Sequence, residues 1–349
     1  MRLITASVIS FLLAPLLSSC QKTQQAYVCP PCAVHDTLLF DHDGICPVCE
    51  MNLIEKTDSS DINKINLDTG SGNFLVEGGG AHKEKTITIF YHKPKNFSTG
   101  SNVMMVVPGS GRNSWNYRDA WVEASEQQGI LILSPHYPEE YYPEFWSYNL
   151  GGMISDVKIN EERTAMLSYE INEESEEWIW DDFDRIFTEV KNKLKLETET
   201  YDMFGHSAGG QILQRLTLFN PDNKAKRILA SNSGWYTIPS VDDKFPYGLK
   251  GVWAADKQVE KAFKANLIIF IGEEDDENET GGHLVRSPEI DKQGTHRLAR
   301  GKYFYNESKV YADSLGTEFN WEIRVIPNVG HDYERMSKAA AKYLHNIKR

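Results

Sequence analysis

Short apolar runs recur along the chain, and helical periodicity lies between most of them. The runs are Val103–Val107, Ile130–Leu133, Tyr201–Phe204, Ile228–Ala230, Leu267–Ile271 and Ile323–Ile326. They are too short for helices, and Leu267–Ile271 is apolar without alternation, the pattern of a fully buried strand. Helical patterns run over Arg118–Gln127, Gln211–Phe219, Lys302–Leu315 and Met336–Ile347. A further helix is expected over Glu173–Asp184 and beyond, with Trp180, Phe183, Phe187 and Val190 on one face and carboxylates on the other. Strands near Phe74–Val76 and Thr86–Tyr91 read as an antiparallel lead-in. Alternation of strand and helix predicts an α/β fold with a doubly wound, mainly parallel sheet. Ligands then bind outside the carboxyl ends of the strands.

One strand-to-helix junction carries chemistry. Thr200–Phe204 runs into Gly205-His206-Ser207-Ala208-Gly209, and the helical pattern follows at once. In such a G-x-S-x-G turn the glycines allow close backbone approach, and the serine hydroxyl is held at the positive end of a helix dipole. A serine nucleophile needs a histidine base, and the histidine needs a carboxylate to orient it. Gly272-Glu273-Glu274-Asp275 follows Leu267–Ile271, and Pro327-Asn328-Val329-Gly330-His331 follows the last strand. Among the ten histidines, His331 alone sits just past a late strand and before a closing helix. The candidate triad is Ser207, Asp275 and His331, with Asp276 as the alternative acid. The acidic run Glu273–Glu279 lacks the ligand spacing of a dedicated calcium loop.

Acyl transfer also needs N–H donors for an oxyanion. The backbone of Ala208 is one candidate. The second is sought in Pro108-Gly109-Ser110-Gly111-Arg112, with Ser110 first and Gly111 next. This glycine loop lacks the lysine and glycine spacing of a phosphate-binding loop.

With these parts in place, residues from about 83 to 349 resemble an α/β-hydrolase of the esterase or polyhydroxybutyrate-depolymerase-like kind. The elbow, Ala230-Ser231-Asn232-Ser233-Gly234-Trp235-Tyr236 and Phe245-Pro246-Tyr247-Gly248-Leu249 carry the likeness. The loop Pro108-Gly109 departs from the His-Gly of many relatives. The resemblance implies a serine hydrolase acting through an acyl-enzyme, without fixing the substrate. Trp235, Tyr236 and His136 are candidate substrate-binding residues, since aromatics on loops at the active-site end often form a binding platform. Packing of those loops onto the domain is the alternative.

The first residues change where such an enzyme would work. Arg2 precedes an apolar run from Leu3 to Leu17, then Leu17-Ser18-Ser19-Cys20. The run suits a secretory signal and is short for a membrane span. Its ending resembles a bacterial lipobox, which implies lipidation of Cys20 and a place in the bacterial cell envelope. The four remaining cysteines form two C-x-x-C pairs, Cys29/Cys32 and Cys46/Cys49. Two such pairs can complete a tetrahedron around one ion. The segment resembles a bacterial heavy-metal-binding domain in its Cys-Pro pairs and in Cys49-Glu50-Met51-Asn52-Leu53. It departs where Pro31-Cys32 replace the usual Met-His. Four cysteines suit zinc, whereas methionine and histidine lean toward copper or silver. His35, His42 and Met51 are possible extra ligands. Two disulfides are the other reading, because an exported chain meets an oxidising compartment.

The expected organisation is a signal over 1–19, a cysteine module over 20–55, a polar linker over 56–72 and a hydrolase domain over 73–349. A net charge of −13 argues against nucleic acid as a partner. The expected activity is hydrolysis of a small or polymeric carboxylic ester. A serine peptidase acting on short peptides is one alternative, and a metal-binding lipoprotein with a non-catalytic scaffold is another. Catalysis itself requires no cofactor.

Overall fold

A computed structural model describes residues 26–29, 39–47, 53–56, 62–161, 165–252 and 256–347. The signal run, Cys20, Cys32, His35, Cys49 and Met51 lie outside the described residues. The chain divides into two compact units, Met1–Lys56 and Thr57–Arg349. In the small unit, β1 (Tyr27–Val28) pairs antiparallel with β2 (Ile54–Glu55). Tyr27 and Phe40 exchange two backbone hydrogen bonds, of 2.8 and 2.9 Å. Buried Cys29, Cys46 and Leu53 form its small core, against which Tyr27 and Phe40 pack.

The large unit opens with β3 (Gly70–Val76), β4 (Ile87–Lys93) and β5 (Val103–Val107). Next come α1 (Ser114–Asp119), α2 (Val122–Gln128), β6 (Leu131–His136) and α3 (Phe145–Tyr148). A hairpin of β7 (Ile154–Ile159) and β8 (Met166–Ile171) precedes α4 (Asp182–Leu194). The chain continues through β9 (Tyr201–His206), α5 (Ala208–Phe219), β10 (Ala225–Ser231), α6 (Asp256–Lys264) and β11 (Leu267–Gly272). It closes with α7 (Pro288–Asp291), α8 (Arg297–Leu315), β12 (Glu322–Ile326) and α9 (Tyr333–Ile347).

Eight strands form one sheet in the order β12-β11-β10-β9-β5-β6-β4-β3. From β12 to β6 all neighbours are parallel, while β4 and β3 add antiparallel. The expected doubly wound architecture is therefore observed. Strand β5 shows why both faces must be covered. Val103, Met105 and Val107 join one core with Phe183, Phe187 and Ile212, while Met104 and Val106 join another with Trp121, Ala340 and Leu344. Both sets are essentially solvent-free, so helices have to close both sides.

Three features differ from expectation. The stretch 62–72 is not a free linker: Ile65 and Leu67 are buried in the main core, and Lys93 Nζ donates to the Leu67 carbonyl at 2.8 Å. Apolar residues spaced by one polar position were enough to dock a polar segment. Over 173–194, short 3-10 turns at Ser175–Glu177 and Ile179–Asp181 precede α4, although the expected apolar face is buried. The hairpin β7–β8 was not anticipated. Its mixed, half-exposed residues carry little periodic signal.

Candidate active site

The turn that carries the candidate nucleophile is built by close backbone packing. Between β9 and α5, Ser207 takes φ 57° and ψ −114°. Such a conformation in a residue with a Cβ costs on the order of 1–3 kcal/mol and persists only where the surroundings enforce it. The surroundings do so here. A Cβ on Gly205 would lie 2.5 Å from the Gly209 carbonyl oxygen, and one on Gly209 would lie 2.1 Å from that of Val107. Ser207 N–H donates to Ser231 O at 2.9 Å, which ties the turn to the end of β10. Its side chain is half-buried at the N-terminus of α5.

The glycine loop after β5 runs beside it. Gly109 is the point of closest approach, since a Cβ there would stand 3.4 Å from Ser207 Cβ and 2.9 Å from Tyr117 Oη. Gly109 N–H bonds to the Tyr117 hydroxyl, and its carbonyl accepts from Arg112 N–H at 3.0 Å. Ser110 and Gly111 occupy the exposed tip of this turn. Tyr148 Oη donates to Pro108 O at 2.8 Å and Arg112 donates to carbonyls of Tyr137 and Tyr142, so the loop is anchored from behind.

His331 and Asp275 meet directly. His331 Nδ1 lies 2.8 Å from Asp275 Oδ2, the geometry in which Nδ1–H donates and Nε2 is left as the base. The same Oδ2 accepts from Asn232 Nδ2 at 2.6 Å, and Oδ1 accepts from Arg297 Nη1 at 3.1 Å. Asp275 and Arg297 side chains are 1% and 2% exposed. Burial works to raise the Asp275 carboxyl, but the His331 hydrogen bond and charge, Arg297 and Asn232 more than offset it. The group is held below its ordinary value and is ionised at neutral pH. Asp276 is elsewhere, half-buried and accepting from Asn278 N–H at 2.9 Å.

The loop 279–283 shapes the reactive edge of the imidazole. Glu279 accepts from the backbone N–H of His331 at 2.5 Å and of Gly281 at 2.6 Å. Arg297 reaches the Gly281 and His283 carbonyls. At Gly282, φ is +67° and a Cβ would approach His331 Cδ2 to 2.7 Å and Nε2 to 3.0 Å. The glycine therefore keeps open the space beside His331 Nε2. Behind His331 lies His206, with ring centroids 4.5 Å apart, its Nδ1 3.3 Å from Tyr117 Oη. Burial, then the charges of His331 and Arg297, push the His206 pKa far below the ordinary value, so it stays neutral.

The arrangement has solved relatives. The chain is 32% identical to poly(aspartic acid) hydrolase-1 from Sphingomonas sp. KT-1, covering 79% of this chain and 98% of that one with a TM-score of 0.69. It is 26% identical to a poly(3-hydroxybutyrate) depolymerase from Bordetella parapertussis, covering 80% and 90% with a TM-score of 0.70. The chain is an α/β-hydrolase. It is a serine hydrolase within that family, and a purely non-catalytic scaffold is set aside. Residues 26–56 match the heavy metal binding domain family. No curated protein matches the chain.

The structure of this α/β-hydrolase corrects the expected substrate platform. Trp235 is 4% exposed, lying under the Arg215 guanidinium at 4.2 Å and against the Tyr247 ring at 5.5 Å. Tyr236 is fully buried and stacked on Phe304 at 4.5 Å. His136 Nδ1 contacts the Arg112 carbonyl at 2.8 Å, and its ring stands edge-on to Trp115 and Phe90. All three pack loops onto the domain, because their apolar area is worth more buried than presented to solvent. Arg297, Glu279, Gly282 and His206 were not anticipated. Asn232 lay inside a quoted motif without an assigned role, and Arg297 opens a helix whose expected pattern began only at Lys302.

Because Asp275, and not Asp276, bonds to the imidazole, Asp275→Asn should lower kcat by two or more decades with little change in KM. Asp276→Asn should change kcat less than about threefold, by the usual mildness of substitutions away from buried networks. Steady-state kinetics of the two variants distinguishes them, and the reverse ranking would displace Asp275.

Proposed function

We propose that this chain is an exported, lipid-anchored serine hydrolase that cleaves carboxylic esters in a small or polymeric substrate. The observation that carries the reading is the Asp275–His331 pair, 2.8 Å apart, in the same unit as a strained serine at a helix N-terminus. The Ser207 hydroxyl attacks the carbonyl carbon while His331 Nε2 takes its proton. Ionised Asp275 holds the ring and stabilises the imidazolium. Backbone N–H groups of Ala208 and Ser110 receive the oxyanion, each worth about 3–4 kcal/mol of barrier in comparable sites. Collapse of the tetrahedral species expels the alcohol, protonated by His331. Water activated by the same base then releases the acid.

A second reading has its own support. Poly(aspartic acid) is a polyamide, and the relative named for its hydrolysis is 32% identical, so amide cleavage by the same residues is the competing activity. Fluorophosphonate labelling should mark wild type and not Ser207→Ala, which should also lose at least two decades of turnover. A panel of p-nitrophenyl esters and aminoacyl anilides then separates ester from amide cleavage. Ester turnover at wild-type level in Ser207→Ala would overturn the nucleophile.

For the small unit, the proposal is a thiolate site for one soft or borderline ion such as zinc. The donor chemistry fits, since Cys29 and Cys46, one from each C-x-x-C pair, are buried in one small core. Cys32 and Cys49 would complete it. The bound ion would add folding energy to a unit with little core and take no part in serine chemistry. Elemental analysis should find about one ion per chain, with four titratable thiols after chelation. Absence of both would mean two disulfides instead.

The reading of Cys20 as a lipid anchor rests on the apolar run and the Leu17–Cys20 ending. It locates the enzyme in the cell envelope. Cys20→Ser should shift the protein from the detergent phase to the aqueous phase on Triton X-114 partitioning. Unchanged partitioning would refute lipidation.

A further inference from the structure

The glycine loop after β5 ends on Arg112, whose backbone is unusual for a residue with a side chain. Its φ is +51°, in the left-handed region. That conformation is costly for an L-residue with a Cβ, and it persists where the surroundings enforce it. Both the backbone and the side chain of Arg112 are held, and what they hold is the turn beside Ser207. We propose that Arg112 is a positioning residue for the oxyanion site: its guanidinium clamps the 109–112 turn to the 137–144 segment and keeps the Ser110 N–H aimed at the oxyanion. The inference rests on the proposed roles of Ser207 and Ser110, and adds the group that fixes the donor.

The backbone of Arg112 closes the turn. Its N–H donates to Gly109 O at 3.0 Å, which carries Ser110 and Gly111 at the exposed tip. Its carbonyl accepts from His136 Nδ1–H and from Ser114 N–H, each at 2.8 Å. Burial lowers the His136 pKa below its ordinary value, so that ring stays neutral at pH 7. The Arg112 side chain is buried and reaches across to the loop after β6. Nη1 donates to the Tyr137 carbonyl at 3.2 Å and to that of Tyr142, and Nη2 stands 3.5 Å from the Glu144 carbonyl. The guanidinium also lies 4.7 Å over the Tyr148 ring, whose hydroxyl donates to Pro108 O at 2.8 Å. One side chain thus meets both flanks of the turn, the second through Tyr148. The receiving segment is itself pinned, because Tyr137 O–H donates to Asp182 Oδ2 at 3.1 Å, at the start of α4.

The chemistry of this contact makes it stiff. The acceptors of the guanidinium are backbone carbonyls, and among the described residues it forms no ion pair with a carboxylate. Burial lowers the Arg112 pKa, and Tyr148, Glu139 and Glu144 offset this only in part. A buried cation served by carbonyls cannot release them without being left unsatisfied. Its planar fork of donors suits several carbonyls at once, and a charged donor makes the stronger hydrogen bonds. An oxyanion donor is effective only at about 2.7–3.1 Å from where the charge develops. Misplacement by about 1 Å can cost about 10²-fold in rate. A donor at an exposed tip therefore depends on a rigid base, and Arg112 supplies it.

The test separates oxyanion stabilisation from substrate binding and from folding. Asparagine tolerates left-handed backbone well, so Arg112→Asn removes the guanidinium without adding strain or the freedom of glycine. A trifluoromethyl ketone is the probe. The Ser207 oxygen adds to its carbonyl carbon, the serine proton passes to His331, and the carbonyl oxygen becomes an oxyanion. In Arg112→Asn, kcat on a p-nitrophenyl ester should fall about 10- to 100-fold and the ketone Ki should rise by a similar factor. KM should stay within about threefold, since ground-state binding does not use the oxyanion donors. Arg112→Lys keeps the charge and loses the fork, and should lie between wild type and Arg112→Asn on both scales. Circular dichroism checks folding, and if the asparagine variant does not fold, the lysine variant carries the comparison. Wild-type kcat and Ki in a folded variant would overturn the proposal, as would a loss confined to KM or a fall in kcat with Ki unchanged. A wild type that cleaves anilides and not esters would overturn the ester reading alone. The same comparison then runs on the anilide, because both reactions pass through an oxyanion.

Discussion

The structure depends on one close approach, that of the α5 backbone to the end of β5. Gly209 passes the Val107 carbonyl at a distance no side chain could share, and Gly205 turns under Gly209 in the same way. This crossing forces Ser207 into positive φ and lifts its hydroxyl off the sheet. It also sets where the neighbouring loops can lie. The Gly109 loop must follow β5 into the space beside Ser207, and the end of β10 must accept its N–H. The strain is sustained by a sheet buried on both faces, in which no single strand can relax without opening the core.

Asp275 is the second organising point, and its two oxygens do different work. Oδ2 serves His331 and Asn232, which aligns the imidazole. Oδ1 binds Arg297, which in turn holds the carbonyls of the loop over the imidazole edge. A buried carboxylate with a single partner would carry a large desolvation cost, so the shared cation keeps it ionised. The arrangement couples base orientation to the shape of the reactive edge. Disturbing Arg297 would therefore alter both together.

Much of this was legible in sequence where the determining interactions are local. Unalternating runs such as Leu267–Ile271 announce strands covered on both sides. The glycines around Ser207 announce a turn that nothing bulkier fits. Asp275 and His331 follow from their places just beyond strands. What was not legible depends on distant partners. Arg297 meets Asp275 only because α8 folds back across β11, and Ile65 and Leu67 dock a segment whose composition reads as linker. Trp235 and Tyr236 stand at the expected end of the sheet, yet loop packing took their faces inward. Position near a site does not specify which way an aromatic points.

His206 shows how burial that looks purely structural enters the chemistry. Its ring lies 4.5 Å from that of His331, which the proposed mechanism makes a cation as Ser207 attacks. Two imidazolium charges at that separation would repel by about 4 kcal/mol at an effective dielectric constant of 20. Such repulsion would cost nearly three decades in rate. The pocket avoids it by removing His206 from water and placing Tyr117, itself stacked on Tyr333 at 4.3 Å, against its Nδ1. A histidine kept neutral by desolvation provides a flat surface for the base without competing for the charge of Asp275. The residue between Gly205 and Ser207 is thus constrained in ionisation as well as in size.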